Sequence, residues 1–346
     1  MNNVFTMLGP EGFGSYEVDW EGPKFNRVDA SPKAMLVPGF VDIHIHGAFG
    51  IDFMSATTAD IKVWCGKLAE LGYETFLPTT VTASPEDVLR AVNLLPEHEM
   101  IAGFHLEGPF ISHSYPGAQP PSSIATPPVA SSAWDAVLDH PKLKLVTLAP
   151  ELPGALELTT RLMKRGVVVS MGHTNATFAE ARYGFEFGAS HTTHTFNAMR
   201  PLHHREAGTV GYALATDALY TELIYDRLHV SRDAAGILLK CKPADKLIAV
   251  SDSTLATGMP PNQEIVMWGL RCITGRGEIR LAEGGNLAGS AITLLDAFRN
   301  LAEDFGPETA IRACSINPRL SMGWKGLPRV YLEMDRNLEI IQRYVA

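Results

Sequence analysis

Six residues able to hold a metal ion or move a proton lie far apart in this 346-residue chain. His44 and His46 close VDIHIH, Glu107 stands in FHLEGPF, His173 in SMGHTNAT, His194 in HTTHTFNA and Asp252 in AVSDST. Imidazole and carboxylate are ligands suited to Zn²⁺ or Fe²⁺. A spacing of two puts His44 and His46 on one face of a strand. That pair alone is a weak sign, because a polar turn is spelled the same way. Six such residues, each at the end of an apolar run, are a strong one. A purely structural set would bury several imidazoles and carboxylates, each costly unless satisfied. A divalent metal at such a site lowers the pKa of its water to roughly 7 and polarises a carbonyl. Asp252 is then placed to take the water's proton and pass it to a leaving nitrogen. The reaction class is hydrolysis at an amide or similar carbon.

The elements that must position these residues are legible as an alternation. Strand-like apolar runs fall at 39–46, 75–79, 101–106, 143–149, 167–172, 191–196, 222–228 and 247–251. Helical segments separate most of them. Ser84 followed by Pro85, Glu86 and Asp87 reads as a helix start, with a capping hydroxyl, proline in the first turn and acids at the positive dipole end. Gly166 and Gly188 stand where helices 156–164 and 178–187 should stop. Further helices are expected over 233–241 and 294–304. Eight strands alternating with helices predict an α/β chain folded as a (β/α)8 TIM-type barrel. Such a barrel places its active site at the C-terminal strand ends, where all six candidate residues lie. Residues 1–36 are too few to bury a core alone. They are expected to form a small β domain with 325–346, whose 329–345 portion reads as a hairpin; 37–324 would be the barrel.

Composition narrows the function. A net charge of −9 argues against non-specific binding to nucleic acid. No apolar run is long enough for a membrane span, and the first residues carry neither a basic start nor an apolar core of a signal peptide. Cys65, Cys241, Cys272 and Cys314 form no CxxC pair, which suits a reducing cytoplasm. An anionic substrate needs a local basic pocket. The segment 191–211, HTTHTFNAMRPLHHREAGTVG, offers one: a Thr-rich strand followed by a loop carrying Arg200, His203, His204 and Arg205.

Seven segments together carry a family likeness: VPGFVDIHIHG (37–47), HLEGPF (105–110), GHTNAT (172–177), THTFNAMRPLHHREAGTVG (193–211), LHV (228–230), SDSTLATG (251–258) and NLAGSAIT (286–293). On these the chain resembles the N-acetylglucosamine-6-phosphate deacetylases of the amidohydrolase superfamily. The resemblance implies Glu107, His173 and His194 as ligands of a primary metal. His44 and His46 match a pair that in some members helps to hold a second metal sharing the Glu, so one or two Zn or Fe ions are implied per subunit. It implies Asp252 as general acid/base, and Asn197, Ala198, His229 and Arg205 as contacts to the sugar and its 6-phosphate. In the family the arginine at the Arg205 position reaches the neighbouring subunit's site, which implies a homodimer. Arg also suits the phosphate physically, because its fork binds an oxyanion bidentately. Asn175 reads as a helix cap following His173. The implied reaction is deacetylation of N-acetylglucosamine 6-phosphate. A galactosamine-6-phosphate deacetylase, an N-acyl amino-acid hydrolase or a sugar-phosphate-binding paralogue that has lost catalysis are the alternatives.

Three positions depart from the family pattern. The loop after HLEGPF ends in Gly117-Ala118-Gln119, where the family has a His thought to polarise the substrate carbonyl. A Gln amide donates a hydrogen bond to an oxyanion but carries no positive charge. Oxyanion stabilisation is then expected from Gln119, from a second metal or from nearby His113. Tyr115-Pro116 replace basic residues of that loop. Arg227 stands where the family usually has Gly, and is expected to narrow the sugar pocket beside His229 or to add an anion contact.

Overall fold

Between residues 40 and 250 the chain alternates short strands with helices, and a computed structural model, which describes residues 3–20 and 24–345, closes the strands into a barrel. Six parallel strands pair in the spatial order Leu247–Val250, Tyr220–Ile224, His191–Thr192, Val168–Met171, Leu143–Leu148 and Phe104–Glu107. The remaining two, Phe40–Ile45 and Tyr73–Pro78, pair with each other. Isolated parallel bridges complete the ring: Phe76 to Ile101 and Thr79 to His105 on one side, and Ile45 to Ser253 on the other. The Asp42 carboxylate stitches the same seam, accepting the backbone N–H of both His44 and Ser251 at 3.3 Å. Burial pushes Asp42 up to about 7. The strands are buried nearly throughout, as parallel strands covered by helices must be.

All eight expected strands are present. The sixth is shorter than expected, ending at Thr192 because His194 and Phe196 take φ of 30° and 84°. Those left-handed residues cannot continue a strand, and they turn the chain across the barrel mouth. The helix Pro85–Asn93 is capped by the Ser84 hydroxyl as expected. The helix Phe178–Glu186 is instead capped by Thr177, with Glu180 completing a capping box. Asn175 is therefore not the cap; its Oδ1 accepts from Arg200 Nε at 3.0 Å.

One element has no counterpart in the expected pattern. After the eighth strand the chain makes a four-stranded antiparallel sheet, Glu264–Met267, Leu270–Thr274, Glu278–Leu281 and Leu287–Ser290. Its alternating exposed and buried residues cover a small cluster of Ala256, Met267, Cys272, Ile279 and Ala288. The two chain ends meet in a six-stranded sheet, with Ile340–Val345, Val330–Met334 and Ala34–Pro38 beside Val4–Gly9, Gly12–Asp19 and Lys24–Arg27. It buries Phe5, Tyr16, Leu36 and Tyr331 in a core of its own. Residues 1–2, 21–23 and 346 of the expected small β domain lie outside the described residues. Among the described residues no helix is long and apolar enough to cross a membrane.

Candidate metal centre and active site

The six candidate residues converge at the C-terminal mouth of the barrel. His44 and His46 project from the first strand, Glu107 ends the third, and Asp252 follows the eighth. His173, His194 and Asp252 adopt φ of 46°, 30° and 48°. Such left-handed turns at strand ends cost of order 1 kcal/mol each and persist only where the surroundings enforce them. Here each one carries a chemical side chain out of the strand direction and into the mouth.

Two triads result, His44–His46–Asp252 and Glu107–His173–His194, and within each the ligand atoms lie within 4.8 Å of one another. Glu107 joins them. Its Oε1 lies 3.1 Å from His173 Nε2, 3.2 Å from His194 Nε2 and 3.3 Å from His44 Nε2, while Oε2 is 3.2 Å from His46 Nε2. Asp252 Oδ1 stands 3.2 Å from His46 Nε2 and 3.4 Å from His44 Nε2. All six are buried.

The imidazole orientations fit a cation. His46 Nδ1 faces the Thr79 carbonyl at 3.1 Å, His173 Nδ1 the Tyr115 carbonyl at 3.0 Å, and His44 Nδ1 the Glu222 carboxylate at 3.3 Å. An acceptor at Nδ1 keeps the proton there and leaves the Nε2 lone pair bare toward the centre. The Nε2 atoms crowd together: His44 to His46 at 3.3 Å and His173 to His194 at 3.1 Å, although His194 Nδ1 has no such acceptor. Lone pairs so placed repel unless a proton or a metal lies among them. Without a metal, a proton takes that place between His44 and His46. Burial opposes charge on His44 and His46, but Glu107 and Asp252 outweigh it, holding His44 well above its usual range and raising His46 to about 9. Burial likewise opposes charge on Glu107 and Asp252, and the cationic imidazoles, His44 foremost, win there and hold both carboxylates low. Metal binding must displace those protons, so affinity for the cation falls with acidity.

The centre opens into a cavity of about 140 Å³ lined by His46, Glu107, Ala118, Gln119, His173, His194, Asn197, Ala198, His229 and Asp252, among others. Eleven of the twelve site residues expected from sequence therefore line the cavity or, in the case of His44, stand directly behind its wall. Arg205 does not. It is exposed on the loop after the sixth strand, its guanidinium 3.0 Å from His204 Nε2. Among the described residues, no Lys or Arg lines the cavity. His191 is also apart, buried in its strand with Nδ1 against Ser190 Oγ and its ring stacked on Tyr220.

The departures from the family pattern acquire distinct meanings. Gln119 is buried, donates from Nε2 to Glu107 Oε2 at 2.5 Å and accepts from the Thr82 N–H at 2.7 Å. One of its two amide protons is thus committed to a candidate ligand. His113 is exposed and absent from the cavity lining, so it is no substitute donor. The expectation for Arg227 is corrected. Its guanidinium pairs with Asp304 at 2.7 Å and Glu303 at 2.8 Å on the outer helix Leu294–Phe305, away from the cavity. It stands at φ 66°, a conformation that Gly adopts without strain, and the side chain leaves the pocket to reach these two acids. His229 is held by Asp226, which accepts from its ring at 2.6 Å and from its backbone N–H at 2.7 Å.

Sequence reasoning did not single out Trp268, Leu287 or Gly289, which the inserted sheet brings to the cavity. Trp268 packs against the edge of His46 and donates its indole N–H to Asp52. Gly289 has no room for a side chain: a Cβ would lie 2.7 Å from Thr254 and 3.3 Å from the Asp252 carbonyl. Glu222, behind His44, was passed over too, although a lone acid in the apolar run YTELIY was a visible signal.

A family model for the amidohydrolase family matches residues 35–327. The chain is 36% identical to the N-acetylglucosamine-6-phosphate deacetylase of Bacillus subtilis over 81% of its own length and 73% of that protein's. It is 32% identical to the N-acetylgalactosamine-6-phosphate deacetylase of Escherichia coli O157:H7, covering 85% of this chain and 79% of that one. The crystal structure of the N-acetylglucosamine-6-phosphate deacetylase from Thermotoga maritima superposes with a TM-score of 0.90 at 31% identity, over 100% of this chain and 97% of the other.

Proposed function

The chain belongs to the amidohydrolase family, in its N-acetylglucosamine-6-phosphate deacetylase branch, and from that premise we propose that it hydrolyses the acetamide of N-acetylglucosamine 6-phosphate to glucosamine 6-phosphate and acetate. The observation that carries this reading is the single Glu107 carboxylate, shared by His173 and His194 on one side and His44 and His46 on the other, with Asp252 facing the same cavity. We assign the primary metal to Glu107, His173 and His194, and a second to His44 and His46 with Glu107, the ions being Zn²⁺ or Fe²⁺. A cation held by these residues supplies Lewis acidity to the amide carbonyl and makes water a nucleophile near neutral pH.

The protein's own groups do the rest. Asp252, held as a carboxylate, accepts a proton from the attacking water and later delivers it to the departing amine nitrogen. Asn197 and Ala198, carried just past His194 by the left-handed turn, and His229, held by Asp226, form the sugar side of the cavity. Since no Lys or Arg among the described residues lines the cavity, Arg205 of a second copy is assigned to the 6-phosphate, making the working form a homodimer in the cytoplasm. A division into a small β unit (1–36 with 325–346) and a catalytic barrel (37–324) is supported by the sheet joining the two ends.

The test is acetate release from N-acetylglucosamine 6-phosphate by the Zn²⁺- or Fe²⁺-loaded protein, beside the unphosphorylated sugar and the galactosamine epimer. Turnover fastest on the glucosamine phosphate is expected, and Asp252→Asn should abolish it while metal and substrate still bind. No turnover on any of the three by the metal-loaded protein would refute the enzyme reading, and full activity in the Asn variant would refute the role of Asp252.

A further inference from the structure

Glu222 is a fully buried carboxyl group that the reaction does not use. It sits on the seventh strand inside the barrel with no solvent exposure. Its Oε2 lies 3.3 Å from His44 Nδ1 and accepts the backbone N–H of His194 at 3.3 Å, and its Oε1 has no hydrogen-bond partner. A carboxylate out of water is expensive unless it is paired and hydrogen-bonded. Half of this one is unpaired, and its one ionisable neighbour at hydrogen-bond range is an imidazole.

We propose that Glu222 is a positioning residue for the second metal: it fixes the tautomer of His44 and thereby makes His44 a ligand. The inference rests on the ligand assignment of the preceding section. His44 Nε2 faces Glu107, Asp252 and His46. Two of these are anionic acceptors that would draw the imidazole proton to Nε2, the tautomer that cannot ligate. Glu222 is the counterweight at the other nitrogen. By holding the proton on Nδ1 it leaves the Nε2 lone pair free, and its negative charge raises the basicity of that lone pair. The other ligands rely on different groups. His46 and His173 are oriented by neutral carbonyls, of Thr79 and Tyr115. Only the backbone of His194 touches Glu222, while its ring faces Glu107 and His173. Loss of Glu222 therefore falls on the His44 side of the centre first.

The experiment is a titration of metal-stripped, full-length protein with Zn²⁺ against a chromophoric chelator, comparing wild type with Glu222→Gln and Glu222→Leu. Wild type should take up two ions per chain. In Glu222→Leu the weaker ion should lose about 10–100-fold in affinity, with the tighter one changed by less than about threefold. Glu222→Gln keeps an acceptor of the same shape but not the charge, and should fall between the two; it also serves if the Leu variant does not fold. Unchanged binding of both ions in the Gln variant, or an equal loss at both sites, overturns the proposal, because a merely structural carboxylate would weaken both alike. A wild-type chain that takes up no Zn²⁺ overturns the ligand assignment itself and the proposal with it.

Discussion

Replacing Gln119 by Leu separates two jobs that one amide could perform. The side chain is buried and makes two hydrogen bonds, one to the Glu107 carboxylate and one from the Thr82 N–H. A bond to a charged group contributes about 1.5–3 kcal/mol and a neutral one about 0.5–1.5 kcal/mol, and an orphaned buried N–H costs about 1–3 kcal/mol. Leu has nearly the volume of Gln, so little is added for a cavity. No metal-ligand residue is itself replaced, and the protein should fold with a loss of roughly 3–6 kcal/mol, read as a lower urea midpoint. The functional result is the sharper one. If the amide chiefly fixes Glu107, Zn²⁺ affinity should drop about 10–100-fold. The turnover number should then recover to within about tenfold of wild type once Zn²⁺ is saturating. If the amide instead donates to the oxyanion, kcat at saturating metal should fall about 10²–10³-fold with metal affinity intact. The 2.5 Å contact to Glu107 argues for the first outcome. A kcat that stays down at saturating Zn²⁺, with unaltered affinity, would refute it.

Two further outcomes follow from residues outside the centre. Arg205 is exposed, with its guanidinium against His204 of its own loop. Arg205→Ala should leave the unfolding midpoint within about 0.5 kcal/mol yet raise KM for the phosphorylated sugar about 10–100-fold, the loss of a charge-assisted contact. An equal rise for the unphosphorylated sugar would remove the phosphate role. His191 is pushed down from 6.5 to about 3, by burial first and by nearby Lys246 second. Between those values only the unfolded chain takes up its proton, so stability held above pH 6.5 is lost as the pH falls, by about 2 kcal/mol at pH 5. Urea unfolding of wild type and His191→Gln at pH 7 and 5 should show the smaller decline in the variant; equal declines would mean that His191 is not the group responsible.

The eight strands, the candidate ligands and the cavity residues Asn197, Ala198 and His229 were legible because each depends on local pattern. Apolar runs of strand length, interrupted by capped helices, leave few alternatives to a barrel, and a barrel sends every strand end to one mouth. Chemistry written at those ends is thereby brought together without any long-range information. The same locality explains the failures. The sixth strand was read four residues too long because left-handed turns at His194 and Phe196 leave no mark in residue type. The inserted sheet at 264–290 has no counterpart in the expected pattern because its strands are only four or five residues long and half exposed, with charged residues breaking their apolar runs. Arg227 was drawn toward His229 by proximity in sequence, whereas two acids some 75 residues onward hold it outside.

By itself, then, the sequence determined which groups are available and that they meet. Period-two strands and strand-end residues are properties of neighbours along the chain. The tertiary structure alone decided how those groups are tuned. It set Gln119 onto Glu107 and Glu222 behind His44, turned Trp268 onto His46, and left the cavity without a Lys or Arg among the described residues. These contacts join residues 12 positions apart, as Gln119 to Glu107, or 178 apart, as Glu222 to His44, and are fixed by the loop after the third strand, the closure of the barrel and the folding-over of the inserted sheet. A pattern read one window at a time contains no term for such contacts.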